Sequence, residues 1–480
     1  MKNRLLLFGY VALFGARFVY ATTAAACNTL QSALPGRVFF PGSEEYVNDN
    51  RHYTQGSSQN STCSVEPASP EDVALVVKGA GHTGNVGFSS TTGVQISMSR
   101  FNDIEYDESQ STVKIGAGLT WDKVYAALEP HGVKVVGGRV PGVGVGGLLL
   151  GGGYSYFTDQ YGLAIDTVVS YDLVLPNGTF VQVAGQNNPD LFFALKGGFN
   201  NFGIVTSFNL RTFPQTNVWV RVNIQVSNIM YPLNATSDFN RAIQNFGFSN
   251  RDLKAAALTG YGAASFNEIF ATAGLFYDAP MSPRGVFDEF LNIPGAIVTV
   301  TGTMSLSEAL QSLNGALGSL DPPRTVRHTI PVSRYTVGIL DEIRTQVEKI
   351  VSKAAVGNHT FITLGIGPEP FVQPNAHSTD SAYPHPRGRF VCPTVMEAHY
   401  PNAADDGFFN SAVRKAQQAI QLRAIKEGQS FPDDILYNNY APSDTPLKLI
   451  YGSNLARLRD IKKRVDPSNV MGLAGGFKIQ

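Results

Sequence analysis

Between Gly137 and Gly153 the chain reads GGRVPGVGVGGLLLGGG. A glycine inside a helix or strand costs roughly 0.5–1 kcal/mol relative to alanine, so this density does not serve the stability of a regular element. Without a Cβ, backbone N–H groups can close on an anion that any side chain would hold off. The spacing suits a pyrophosphate cradle, and the plainer reading is a set of tight turns. Gly142, Gly144 and Gly147 also satisfy G-x-G-x-x-G, with Asp166 near the distance of a ribose-binding acid. That fingerprint has to open a helix. Here LLLGGGYS follows, and three adjacent glycines make a poor first turn, so the match reads as a decoy for a Rossmann site.

Upstream, Lys78–His82 reads KGAGH and TGNVGFSS follows. A lone histidine is most often structural. This one stands between glycines after a β segment, in a loop suited to contact with a phosphate or a cofactor ring.

Around these motifs the chain divides by texture. From Ala68 to Phe213 short β segments (Gly93–Met98, Thr112–Ile115, Val133–Val136, Thr167–Leu175, Gly203–Phe208) are separated by glycine, and Thr120–Leu128 reads as a helix with Thr120 as its N-cap. From Asn217 to Gly428 strands (Val218–Val226, Thr325–Val332, Thr360–Gly365) mix with helices (Ser305–Leu313, Val337–Ala354, Asp405–Lys426), which predicts a sheet covered by helices. Asn454–Arg464 is an amphipathic helix stopped at Asp466-Pro467, and a glycine-rich tail follows at Gly472–Gly476. With 480 residues, 43% of them hydrophobic, the chain can bury a large core. A net charge of -1 without a Lys/Arg block argues against nucleic acid and anionic membranes as partners. The 8 His and 3 Cys show no metal-ligand spacing.

Lys2 and Arg4, the apolar run Leu5–Phe14 and the small residues Ala21–Ala26 follow the order of a secretory signal peptide, here residues 1–25. The run is too short to span a membrane, and Arg17 interrupts it. In an oxidising compartment Cys27 and Cys63, which flank a short segment, are expected to pair, leaving Cys392 reduced and buried. Sequons stand at Asn60, Asn177, Asn234 and Asn358.

Three long stretches, KGAGHTGNVGFSSTTGVQISMSRFNDI, GVGVGGLLLGGGYSYFTDQYGLAIDTVVSYDLVLPNGT and NPDLFFALKGGFNNFGIVTSFNLRT, resemble the PCMH-type FAD-binding module of the vanillyl-alcohol oxidase superfamily. The ending, from YNNY through RLRDIKKRVDPSNV to GGF, resembles the berberine-bridge-enzyme-like branch. The resemblance runs from about Cys27 to the end of the chain. It implies an α+β protein: a two-lobed FAD-binding domain over 26–213, a substrate domain with an antiparallel sheet covered by helices over 214–430, and a C-terminal segment, 431–480, returning to the FAD lobe. It implies FAD attached covalently through His82 and the flavin 8α-methyl. Some relatives add a bond from a Cys in Gly-Arg-Cys-Pro; here Val140 stands at that position, so one link is expected. By the same resemblance the backbone of Gly79, Gly81, Gly84 and Gly144 to Gly147, with Gly146 between them, would meet the pyrophosphate. Gly152, Gly153 and Ser155 would approach the flavin or ribityl chain, and Asp166, Gly203 and Val205 the adenine and dinucleotide. The Tyr-x-Asn-Tyr pattern falls on Tyr437, Asn439 and Tyr440 and makes Tyr440 the expected catalytic base, with Tyr437 next. A phenol with an ordinary pKa of about 10 serves as a base only if its neighbours lower it. Two electrons would pass from a small organic substrate, a specialised metabolite, to the flavin and then to O2, giving H2O2.

The chain departs from the pattern in one place. In the family Pro-Glu-Asp-Val starts a helix and a strand then delivers the histidine loop. Here only Ala74–Val77 separate Val73 from Lys78, too few for both, so either the helix is lost or the lobe lacks a piece. Two alternatives follow: a degenerate member that folds without turnover, and a carbohydrate oxidase on the same fold.

Overall fold

The computed structural model describes residues 23–76, 85, 87–222, 229–266, 268–297, 300–318 and 322–480. Residues 1–22 of the expected signal segment and the whole KGAGH stretch, with Gly79, Gly81, His82 and Gly84, lie outside the described residues.

Among the described residues three larger sheets organise the molecule, beside one two-stranded pairing. The first joins Val38–Phe39, Cys63–Val65 and Val94–Ile96. Its middle strand pairs antiparallel with the first and parallel with the third. The disulfide between Cys27 and Cys63 ties the helix Thr23–Ala33 to it, and Cys392 is free and buried. The helix expected at Pro-Glu-Asp-Val is present, over Pro70–Val76. Of the two outcomes anticipated for the short stretch, loss of the helix is therefore the wrong one. Val73 and Val76 face the core of this lobe, which outweighs the brevity of the segment.

A five-stranded antiparallel sheet follows, in the order Ile104–Asp107, Thr112–Gly116, Ile204–Arg211, Val168–Val174, Phe180–Ala184. The helix Trp121–Leu128 buries Trp121, Val124, Tyr125 and Leu128, the 3.6-residue stripe that a one-sided helix requires. Thr120 occupies its N-cap position without a capping hydrogen bond from the side chain.

The third sheet has eight antiparallel strands and carries the helices Thr236–Ser249, Val337–Val356 and Asp406–Lys426. Val337–Val356 buries Leu340, Ile343, Val347, Ile350 and Val351 against the shared core, and its first turn is capped by Thr336 Oγ1, which accepts from Ile339 N at 3.2 Å.

Two further features shape the cleft between these sheets. Val145–Gly151 is a helix, so the glycine motif does open one, contrary to the reading of LLLGGGYS. Leu149 and Val145 are fully buried and hold it in place, and the glycine triplet ends it instead of starting it, with Gly152 at φ 123°. The Rossmann reading still fails, because Val133–Lys134, the strand before the motif, pairs antiparallel with Phe213–Pro214. The chain's last residues return to the five-stranded sheet's lobe. Asn201 Nδ2 donates to the Phe477 carbonyl at 2.8 Å, and Ile479 N donates to Asn201 Oδ1 at 3.0 Å. Among the described residues no helix is long and apolar enough to cross a membrane.

Candidate active site

A cleft of about 970 Å³ lies where the sheets meet. Its first wall is main chain. Gly142 and Gly144 border it with open space where a Cβ would stand, and Gly146 and Gly147 continue the same edge. Not every glycine of the cluster serves the cleft: a Cβ on Gly137 or Gly138 would fall 2.2 or 2.5 Å from the Trp121 ring, so these two are there for packing. Gly203 and Val205 line the cleft from the five-stranded sheet. The tail residues Gly475 and Phe477 also line it, as do Asp49, Arg51, His52 and Tyr53 near the small sheet.

The second wall is built from side chains. Tyr440 places its hydroxyl between Arg139 Nη2 and Glu369 Oε1, each at 3.2 Å. Arg139 Nη2 also lies 2.8 Å from Glu369 Oε2, and both partners are buried. Burial pushes the Tyr440 phenol well above its ordinary range, the Glu369 charge adds to this, and Arg139 and Arg327 oppose it without prevailing. Burial likewise raises the Glu369 carboxyl, against Arg139 and the Tyr440 hydrogen bond. The lowered phenol that a lone base would need is therefore not what these neighbours produce. A second ion pair, Arg327 with Glu397, borders the cleft beside the Tyr53 and Tyr440 rings.

Tyr437 is buried and joins the two walls: its hydroxyl accepts from Gly153 N at 3.2 Å and from Asn439 Nδ2 at 2.9 Å. Gly151 leaves the room Asn439 needs, since a Cβ there would fall 2.3 Å from Asn439 Oδ1. Tyr437, Asn439 and Tyr440 all line the cleft. Gly152, Gly153, Ser155 and Asp166 do not border it. Ser155 faces a separate cavity of about 10 Å³ behind Arg139 and Glu369. Asp166 accepts from His385 Nε2 at 2.9 Å, from Thr379 Oγ1 at 2.6 Å and from Leu163 N at 2.9 Å. Burial would raise that carboxyl, but these hydrogen bonds outweigh it and hold it below the usual range. Asp166 is thus a fastening of residues 379–385 to the glycine-rich lobe. Sequence reasoning missed Arg139, Glu369, Arg327 and Glu397. Only Arg139 stood inside a quoted motif; strand pairing sets Arg327 beside Glu397, and Glu369 follows directly on the strand Thr363–Pro368.

The open positions at Gly142 and Gly144 fit the close backbone approach that FAD requires. The family model for the FAD binding domain matches residues 63–184, and that for berberine and berberine-like proteins matches 436–474. The chain is 31% identical over 484 residues to the FAD-dependent monooxygenase drtC of Aspergillus calidoustus, across 95% of this chain and 90% of that protein. Its fold matches the BBE-like 1 protein of Physcomitrella patens at a TM-score of 0.76, with 20% identity over 95% of this chain and 98% of that one. It also matches glucooligosaccharide oxidase from Acremonium strictum, described with a 6-S-cysteinyl, 8α-N1-histidyl FAD, at 0.74, with 18% identity over 95% and 99%. The chain belongs to the berberine-bridge-enzyme-like family of FAD-linked oxidoreductases.

Proposed function

We propose that this chain is a secreted FAD-dependent oxidase of a small, largely apolar organic substrate, a specialised metabolite. It takes a hydride from a C–H bond and a proton from a neighbouring O–H or N–H. The observation that carries this reading is the Tyr440 hydroxyl held between Arg139 and Glu369, in the cleft that the glycine edge also borders. When bound, FAD supplies the hydride acceptor and is reoxidised by O2 to give H2O2.

The chain's own residues supply position and proton transfer. In this reading the backbone of Gly144, Gly146 and Gly147 cradles the pyrophosphate, Gly203 and Val205 border the dinucleotide, and His82 makes the single covalent link that Val140 leaves. Tyr440 takes the substrate's proton as its own passes to Glu369 Oε1. The substrate O–H breaks, a Glu369 O–H forms, and the phenol never stands charged. The burial that raises Glu369 suits it to receive that proton. Tyr437 is a positioning residue, since its hydroxyl accepts from Asn439 and from the backbone of Gly153. The charged-apolar-small order of the first 26 residues, the Cys27–Cys63 disulfide and the exposure of Asn60, Asn177, Asn234 and Asn358 support a secretory route with glycosylation.

The test is the absorption of the purified protein before and after acid precipitation. A yellow pellet that turns into extractable flavin on His82→Ala is the expected result. A colourless wild-type protein overturns the enzyme reading in favour of a non-catalytic member, which the short stretch between 73 and 78 favours. H2O2 release with oligosaccharides but not with aromatic alcohols would favour a carbohydrate oxidase, the reading that the glucooligosaccharide oxidase fold supports.

A further inference from the structure

Arg327 has no part in the proton transfer above, yet it borders the same cleft. It stands in the strand Arg324–Val332, whose register against Cys392–Tyr400 sets it directly opposite Glu397. Directly opposed residues share one face of a sheet. Arg327 Nε and Nη2 both meet Glu397 Oε1. Glu397 Oε2 lies 3.5 Å from His399 Nε2, and His399 Nδ1 lies 2.9 Å from Thr325 Oγ1. The guanidinium carbon is 5.4 Å from the centre of the Tyr53 ring and 5.8 Å from that of Tyr440. One edge of the head group is fixed by a carboxylate and its faces by two rings. A planar guanidinium so held has the direction of its other N–H bonds set in advance.

Stability does not account for this clamp: Arg327 and Glu397 keep 21% and 20% of their side-chain surface exposed, and ion pairs in contact with water contribute only about 0–1 kcal/mol. The neighbouring positions show that apolar side chains are accommodated, because Leu258 and Val395 line the same cleft. We propose that Arg327 determines substrate specificity, the guanidinium N–H groups left over by Glu397 and the Tyr53 side chain hydrogen-bonding an oxyanion of the substrate, a carboxylate or an ionised phenol. This deepens the oxidase reading and rests on it for the word substrate.

Glu397 keeps the guanidinium in place: burial alone would raise its carboxyl, but Arg327 outweighs this and holds it at about 2. Asp49, Arg51 and His52 border the cleft near the small sheet. Tyr53 and Tyr440 add aromatic surface, which suits an anion carried on a ring.

Calorimetric titration of the flavin-loaded protein with two matched pairs tests this: benzoate against benzamide, and 4-nitrophenolate against nitrobenzene. The charged member of at least one pair is expected to bind about tenfold tighter, the scale of one charge-assisted hydrogen bond. The pair that shows the preference identifies the source of the oxyanion. Arg327→Gln should erase that preference and leave the neutral compound's affinity unchanged, and Arg327→Lys should restore part of it. Glu397→Gln keeps Arg327 and removes the competing charge, so it should raise the preference. Equal binding within both pairs overturns the proposal, and so does a preference that survives in Arg327→Gln or fails to rise in Glu397→Gln. Binding heat requires no turnover, so failure of the oxidase reading shows separately, as absence of flavin reduction.

Discussion

The two walls of the cleft are made of different material. The wall from Val140 to Leu150 works through absence: it presents backbone because Gly142, Gly144 and Gly146 carry nothing that would cover it. The side-chain wall works through presence, with Arg139, Glu369 and Tyr440 joined in one network and Arg327 and Glu397 in another. The first can be written into a contiguous motif, since one short segment supplies it. The second draws on positions 139, 327, 369, 397 and 440, and no local pattern announces it.

That contrast can be broken. If the charged wall governs chemistry and the bare wall governs occupancy, Tyr440→Phe should leave flavin content unchanged while slowing flavin reduction by substrate on the order of a hundredfold or more. Stopped-flow reduction across the pH range reads this directly. Wild-type rates at every pH would move the proton acceptor elsewhere, with Tyr437 the next residue to replace. Removing both Cys27 and Cys63 by serine tests the small sheet that borders the cofactor side. The protein should lose about 2–4 kcal/mol in urea unfolding, and an unchanged midpoint would show that the disulfide does not secure that lobe.

The substrate side has its own stability signature. His328, next to Arg327, is buried, and burial lowers its pKa from 6.5 to about 4. The stabilising contribution is present in full above the unfolded value and is lost as pH falls from about 6.5 toward 4, because only the unfolded chain then takes up the proton. At pH 5 the loss is about 2 kcal/mol. His328→Gln should show a correspondingly smaller drop in urea midpoint between pH 7 and pH 5, and an equal drop would remove His328 from the account. The mildest expected effect is on the bare wall. Gly144→Val, which fills the open space there, should lower flavin occupancy about tenfold while any flavin retained is reduced normally. A variant with full occupancy and slow reduction would reverse the assignment of the two walls.

Periodicity located the long elements well. The helix expected over Val337–Ala354 runs Val337–Val356, and that expected over Asp405–Lys426 runs Asp406–Lys426, because a buried stripe recurring every 3.6 residues is strong over twenty positions. The hairpin Ala255–Ser265 and Glu268–Tyr277 was invisible. Its first strand reads AAALTGYGAAS, alanine and glycine where β-branched residues would signal a strand. Glycine density around 137–153 marked the cleft but not the division of labour within it, since Gly137 and Gly138 make room for Trp121 in the same run of letters that exposes Gly144. The pairing of Cys27 with Cys63 was legible from context, whereas the meeting of Glu369 with Arg139 needed the whole chain to fold.

The returning tail gives the molecule a direction in time. Gly475 and Phe477 border the cleft, and Phe477 and Ile479 are stitched to Asn201. Every other part of the cleft is synthesised before them. The ribosome therefore adds this edge of the cleft after both of its walls. The cofactor's final seat waits for these residues, and a nascent chain halted at Met471 would carry all of the Tyr440 network and still have an open seam beside Asn201.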